Sequence, residues 1–155
     1  MTEQLEAAMH EALEEAGKAL AEGEIPVGAV LFKEGERIAS AHNEREALRD
    51  PTAHAEMTAI RRAAQALGRR RLQDCTLTVT LEPCAMCAGA ALAAGVKRIV
   101  FGAYDPEKGC AGSLYALPED PALGSIPCIG GVMEAECRKL LDNFFCEKRK
   151  LNPDA

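Results

Sequence analysis

The sequence predicts an α/β domain, a mixed sheet with helices packed on its faces. Three observations carry that prediction. Apolar residues recur at helical spacing at both ends of the chain, a hairpin pattern follows the first of these stretches, and helix and strand patterns then alternate. At 155 residues the chain, 1–155, is one domain's worth and long enough to bury a core. No repeat, low-complexity stretch or linker divides it.

Residues 3–22 read as an amphipathic helix, with Leu5, Met9, Leu13, Ala16 and Leu20 on one face and Glu6, Glu11, Glu14 and Glu15 on a solvated one. Gly23 stands where a helix-stopping residue belongs. The run Pro26–Phe32, a Glu34-Gly35 turn and Arg37–His42 form a hairpin. Pro51 and Thr52 then signal a helix start, with Thr52 as N-cap and a helix over Ala53–Leu67 whose buried stripe is Met57, Ile60, Ala64 and Leu67. Leu77, Val79 and Leu81 alternate within a strand over Thr76–Leu81. Ala85–Ala94 is a small-residue helix stopped by Gly95, Arg98–Gly102 a short strand, and Met133–Lys150 a closing helix. Between them Ala103–Gly112 and Pro118–Pro127 are loops, and the pattern leaves open a further strand at Ser125–Ile129.

The net charge of -6 argues against nonspecific nucleic-acid binding, and no DNA partner is expected. No apolar run approaches membrane-spanning length, and the N-terminus lacks a basic region followed by an apolar one. Seven cysteines, an odd count without a secretory context, suit reduced thiols in the cytoplasm.

The chemistry concentrates in Asp50–Glu56 and Pro83–Cys87. Zinc favours thiolate and neutral imidazole in tetrahedral geometry, and His54, Cys84 and Cys87 supply three such ligands, leaving the fourth position open as in a catalytic site. Each half opens a helix, where free amides and the helix dipole favour thiolate. Glu56, two residues after His54, need not bind the metal and is placed to take a proton and return it. Water activated by such a metal attacks an electron-poor ring carbon bearing an amine, which is hydrolytic deamination. A lone Cys-x-x-Cys equally suits a structural clip or a redox pair; His54 and Glu56 favour the catalytic reading. Cys75 could supply a fourth thiolate and close the site, and spacing alone does not decide this. Cys110, Cys128, Cys137 and Cys146 read as small buried hydrophobes, and His10 and His42 as surface or internally satisfied histidines.

His-x-Glu with Pro-Cys-x-x-Cys resembles the cytidine-deaminase-like superfamily of zinc deaminases. More narrowly, Glu24–Val30, Asn43, Asp50–Glu56, Thr80–Ala90, Phe101–Ala103, Gly112–Leu114 and Phe144-Phe145 resemble the bacterial tRNA-specific adenosine deaminases, a family that converts the wobble adenosine of an anticodon to inosine. The resemblance implies a three-layer α/β/α fold with a mixed, five-stranded sheet, one zinc ion per subunit, and a homodimer acting on a tRNA anticodon stem-loop. It implies that Asn43 binds the flipped nucleoside, that Ile25 lines the base pocket, and that the amides of Ala55 and Cys84 lie against the base. It also places Asp105 near the ribose and Phe145 against RNA. Two other functions stay open: a guanine or small-nucleoside deaminase, and a non-catalytic zinc-stabilised binding module.

Positive charge clusters at Arg69-Arg70-Arg71, Lys97-Arg98 and Lys148-Arg149-Lys150, and each cluster suits a solvated helix end as well as a phosphate contact. Tyr104 stands where many members of the family carry Arg, which removes one such contact.

Overall fold

A computed structural model describes residues 1–152 and 154. The chain runs α1 (Thr2–Ala21), β1 (Gly28–Lys33), β2 (Glu36–His42), α2 (Arg45–Leu48), α3 (Ala55–Leu67), β3 (Cys75–Leu81), α4 (Ala85–Ala94), β4 (Arg98–Ala103), a 3₁₀ turn (Leu117–Glu119), β5 (Cys128–Ile129) and α5 (Glu134–Leu151). The five strands form one sheet in the order β2-β1-β3-β4-β5. β1 is antiparallel to both neighbours, while β3, β4 and β5 run parallel, so the expected mixed sheet is present. α1 touches α5, and α3 touches α4, which gives a helical layer on each face.

Sequence chemistry explains the punctuation. Glu34 and Gly35 both adopt positive φ (51° and 81°), the two-residue turn that matches strand twist in a hairpin. Gly68 and Gly95 stop α3 and α4 in the left-handed conformation. Gly28 is required for a different reason: a Cβ there would lie 2.0 Å from the Ala12 carbonyl oxygen and 2.5 Å from the Ala16 nitrogen. α1 therefore rests backbone-to-backbone on the start of β1.

Three expectations need correction. Thr52 does not cap α3; its N–H and hydroxyl both donate to Asp50 Oδ1 in the preceding turn, and His54 is the N-cap residue. The face of α3 turned to the sheet is Ala55, Glu56, Ala59 and Ala63, while Met57, Ile60, Ala64 and Leu67 are half-buried beside it. Small side chains let the helix approach closely, and the bulky ones fill the flanks. Glu15 is buried, its carboxylate held 2.8 Å from Lys18 Nζ and 3.1 Å from His42 Nδ1, while Glu22 meets His42 Nε2 at 3.0 Å. The segment left open near residue 128 does pair, as the edge strand β5. Among the described residues no helix is long and apolar enough to cross a membrane.

Candidate active site

The site lies where α3 and α4 begin, at the carboxyl end of β3. His54 and Cys84 are the N-cap residues of the two helices, both with extended backbone, and Cys87 lies in the first turn of α4. His54 Nδ1 is 3.8 Å from Cys84 Sγ and 3.5 Å from Cys87 Sγ, and all three donor atoms fall within 4.8 Å of one another. Tetrahedral zinc with Zn–S of about 2.3 Å and Zn–N of about 2.0–2.1 Å has S···N edges of about 3.6 Å. The donor set therefore fits zinc in both chemistry and spacing. Cys75 is not part of it. Cys75 starts β3, about 20 Å along the strand from its far end, its thiol donates to Asp74, and burial, then Asp74, push it up to about 11.

The two thiols of the set meet opposite electrostatics. The Cys87 hydrogen bond first, and then His54, bring Cys84 down to about 3. The Cys84 thiolate and burial in turn push Cys87 upward. A metal held there would bind both cysteines as thiolates, so its binding would release protons.

Glu56 follows in the first turn of α3, only 4% exposed, and burial raises its carboxyl above the ordinary carboxylate range. It shares with His54 and Cys84 the wall of a cavity of ≈ 330 Å³. Asn43, Ile25, Asp105 and Phe145 also reach this wall. Asn43 is buried and its Oδ1 accepts the Ala55 N–H at 2.8 Å, so its side chain caps α3 in the place assigned to Thr52. That bond gives the Ala55 amide a protein partner. Asp105 Oδ1 accepts the N–H groups of Glu107 and Lys108 in a tight turn. Phe145, 44% exposed, meets Phe144 edge-on with ring centroids 5.2 Å apart.

Sequence reasoning missed Arg45, Glu82, Lys108 and Arg138, all on the same wall. Glu82 carried a signal, an acid directly after an apolar strand; the three cations carried none. They matter because the clusters singled out in the sequence are largely engaged elsewhere. Arg69 Nη2 donates to both Asp74 carboxylate oxygens at 2.6 and 2.8 Å, the Arg71 guanidinium covers Gly95, and Arg98 donates to Thr76. Positive charge at the cavity comes instead from Arg45, Lys108 and Arg138. Of the remaining cysteines, Cys110 and Cys137 are buried and Cys128 half-buried as expected of small hydrophobes, whereas Cys146 is exposed.

Comparison with known proteins narrows the chemistry. Residues 2–103 match the cytidine and deoxycytidylate deaminase zinc-binding region. The chain is 50% identical to the tRNA-specific adenosine deaminase of Bacillus subtilis over 143 residues, 92% of this chain and 89% of that one. A solved structure from a study of A-to-I editing by tRNA:A34 deaminases superposes with a TM-score of 0.84 at 40% identity, covering 87% of this chain and 99% of the other. The guanine deaminase of Nitrosomonas europaea shares the fold at a TM-score of 0.78 and 26% identity, over 91% of this chain and 84% of its own. At 50% identity over nearly the full length, the chain belongs to the tRNA-specific adenosine deaminases of the cytidine and deoxycytidylate deaminase zinc-binding family.

Proposed function

We propose that this protein hydrolyses the wobble adenosine of a tRNA anticodon to inosine, as a cytoplasmic homodimer of single-domain subunits. Each subunit holds one zinc ion through His54, Cys84 and Cys87. The observation that carries the reading is the placement of His54, Cys84 and buried Glu56 on one wall of a ≈ 330 Å³ cavity, with Cys87 near enough to complete the donor set. Such a cavity takes a nucleotide but not a folded loop, so the base enters by leaving its stack.

Zinc, when bound, is the Lewis acid that lets water act as a nucleophile at neutral pH. Glu56 moves the protons. Its carboxylate takes one from water and passes it to the ring nitrogen beside the carbon under attack; a carbon–oxygen bond forms there. Glu56 then takes the proton of the hydroxyl now on that carbon and delivers it to the exocyclic amine; the carbon–nitrogen bond breaks as the carbonyl forms, giving inosine and ammonia. Burial suits Glu56 to both steps by raising its proton affinity above that of an exposed carboxylate. The Asn43 amide NH₂, whose partner oxygen is engaged by Ala55, is left to donate to the nucleoside. Ile25 bounds the base, Asp105 faces the sugar, and Phe145 packs against the loop at the rim. Arg45, Lys108 and Arg138 supply cationic contacts for phosphate despite a net charge of -6.

The test is to incubate zinc-loaded protein with tRNA and, separately, with free adenosine, cytidine and guanine, and to assay inosine, uridine, xanthine and ammonia. Inosine at the wobble position with free bases untouched supports the reading. Xanthine from guanine with intact tRNA overturns it.

A further inference from the structure

The geometry points to Glu82 as a positioning residue for substrate binding, the buried anchor of the loop that carries Asp105 to the cavity. This inference rests on the function proposed above for its substrate, and on the structure for its geometry. Glu82 is 2% exposed and follows the last residue of β3. Its backbone N–H donates to the Ala103 carbonyl at 2.8 Å, which fixes it to the end of β4. From there its carboxylate serves a single loop. Oε1 accepts the Asp105 N–H at 3.0 Å and the Ser113 hydroxyl at 2.5 Å. Oε2 accepts the N–H groups of Ala111 at 3.0 Å and Ser113 at 2.9 Å.

A carboxylate has about four lone-pair sites, and here one loop fills them all. Four donors converging on one buried point are satisfied only by an acceptor with no hydrogens of its own. Gly109 closes the arrangement, since a Cβ there would sit 2.3 Å from the Glu82 carboxyl carbon. The loop is thus wrapped on the side chain. Glu82 also precedes Pro83, whose carbonyl accepts the Cys110 N–H at 2.8 Å, a backbone bond that holds the turn into Cys84 without the Glu82 carboxylate. The loop presents Asp105 and Lys108 to the cavity, while the three metal donors and Glu56 stand on α3 and α4. Loosening Glu82 should therefore weaken substrate binding and leave the chemical step in place.

The experiment uses full-length, zinc-loaded E82Q and S113A with an anticodon stem-loop RNA bearing the wobble adenosine. The readouts are KM, kcat, bound zinc, and amide exchange at Asp105, Ala111 and Ser113. Glutamine puts an NH₂ against N–H donors, so E82Q should raise KM about tenfold or more and hold kcat within about threefold. Zinc should stay at the wild-type level and the three amides should exchange faster. S113A removes one donor and should raise KM about threefold; combined with D105A it should add nothing to D105A alone. An unchanged KM with faster exchange overturns the inference, as does a fall in kcat or in zinc at constant KM. Should E82Q fail to fold, S113A and its combination with D105A decide the matter. If the wild type acts on guanine and not on the stem-loop, the proposed function falls, and the same split measured with guanine still scores Glu82.

Discussion

Glu56→Gln is the substitution that separates proton transfer from everything else the site does. The side chain is 4% exposed, so its replacement must keep its shape, and glutamine does. The amide keeps the shape and one carbonyl oxygen but has no basic oxygen to receive a proton. Glu56 is also outside the three-donor set at the metal position, so metal content should not change. General acid–base catalysis contributes about 10²–10⁴-fold. The same carboxylate serves two transfers here, which places the loss near the upper end, about 10⁴-fold in kcat or about 5.5 kcal/mol of barrier. Single-turnover conversion of an anticodon stem-loop, followed by inosine release, measures this directly. Zinc content and the thermal midpoint should stay at wild-type levels, the latter within about 2 °C. Turnover retained within about tenfold would refute Glu56 as the proton carrier. Loss of zinc would make it a ligand instead.

Three further predictions bear on the scaffold. Stripping zinc with a chelator should lower the thermal midpoint by about 10 °C, the equivalent of about 4 kcal/mol for metal held at a thousandfold excess over its Kd, and re-addition should restore it; C87A should be insensitive to both treatments. Gly28→Ala drives a Cβ into the α1 backbone, 2.0 Å from Ala12 O, and should cost about 3 kcal/mol or more in urea unfolding; an unchanged midpoint would mean that α1 can lift without loss. The Glu15–His42–Glu22 network should act in a pH window. Burial alone would lower His42, but Glu15 and Glu22 outweigh it and raise its pKa, so its stabilisation is full below 6.5 and fades as pH rises through the raised value. Burial alone would raise Glu15, but Lys18 and His42 outweigh it and lower its pKa, so its contribution is present above 4.5 and fades as pH falls through the lowered value. The difference in thermal midpoint between wild type and H42Q should therefore peak between 4.5 and 6.5 and shrink toward alkaline pH; a difference that grows above neutrality would contradict the assignment.

What the sequence made legible follows from the range of the interactions involved. Strand and helix periods are local, so β1, β3, α4 and the two terminal helices could be read from neighbouring residues. The metal set was legible because its chemistry admits few residue types and its second half sits within four residues. Thr52 was misread because an N-cap and an Asx turn use the same side chains, and only the distant Asn43 reveals which of the two is present. Glu15 looked solvated because its partner, His42, comes from another element. Arg45, Lys108 and Arg138 reach the cavity through loop and helix geometry that leaves no periodic trace.

The sheet order has a consequence for synthesis. β1 occupies the middle of the antiparallel half, and its second neighbour, β3, arrives only after α3 has been made. Chains emerge N-terminus first, at about 5–20 residues per second. When Cys87 appears, the residues of β2, β1 and β3, His54, Glu56 and both thiols have all been synthesised. Asp105, Lys108, Arg138 and Phe145 have not. The ion's donors are thus made about a second or more before the later part of the substrate wall, though Ile25, Asn43 and Arg45 precede them. An early-captured metal would staple the first half of the sheet while the ribosome is still adding the second.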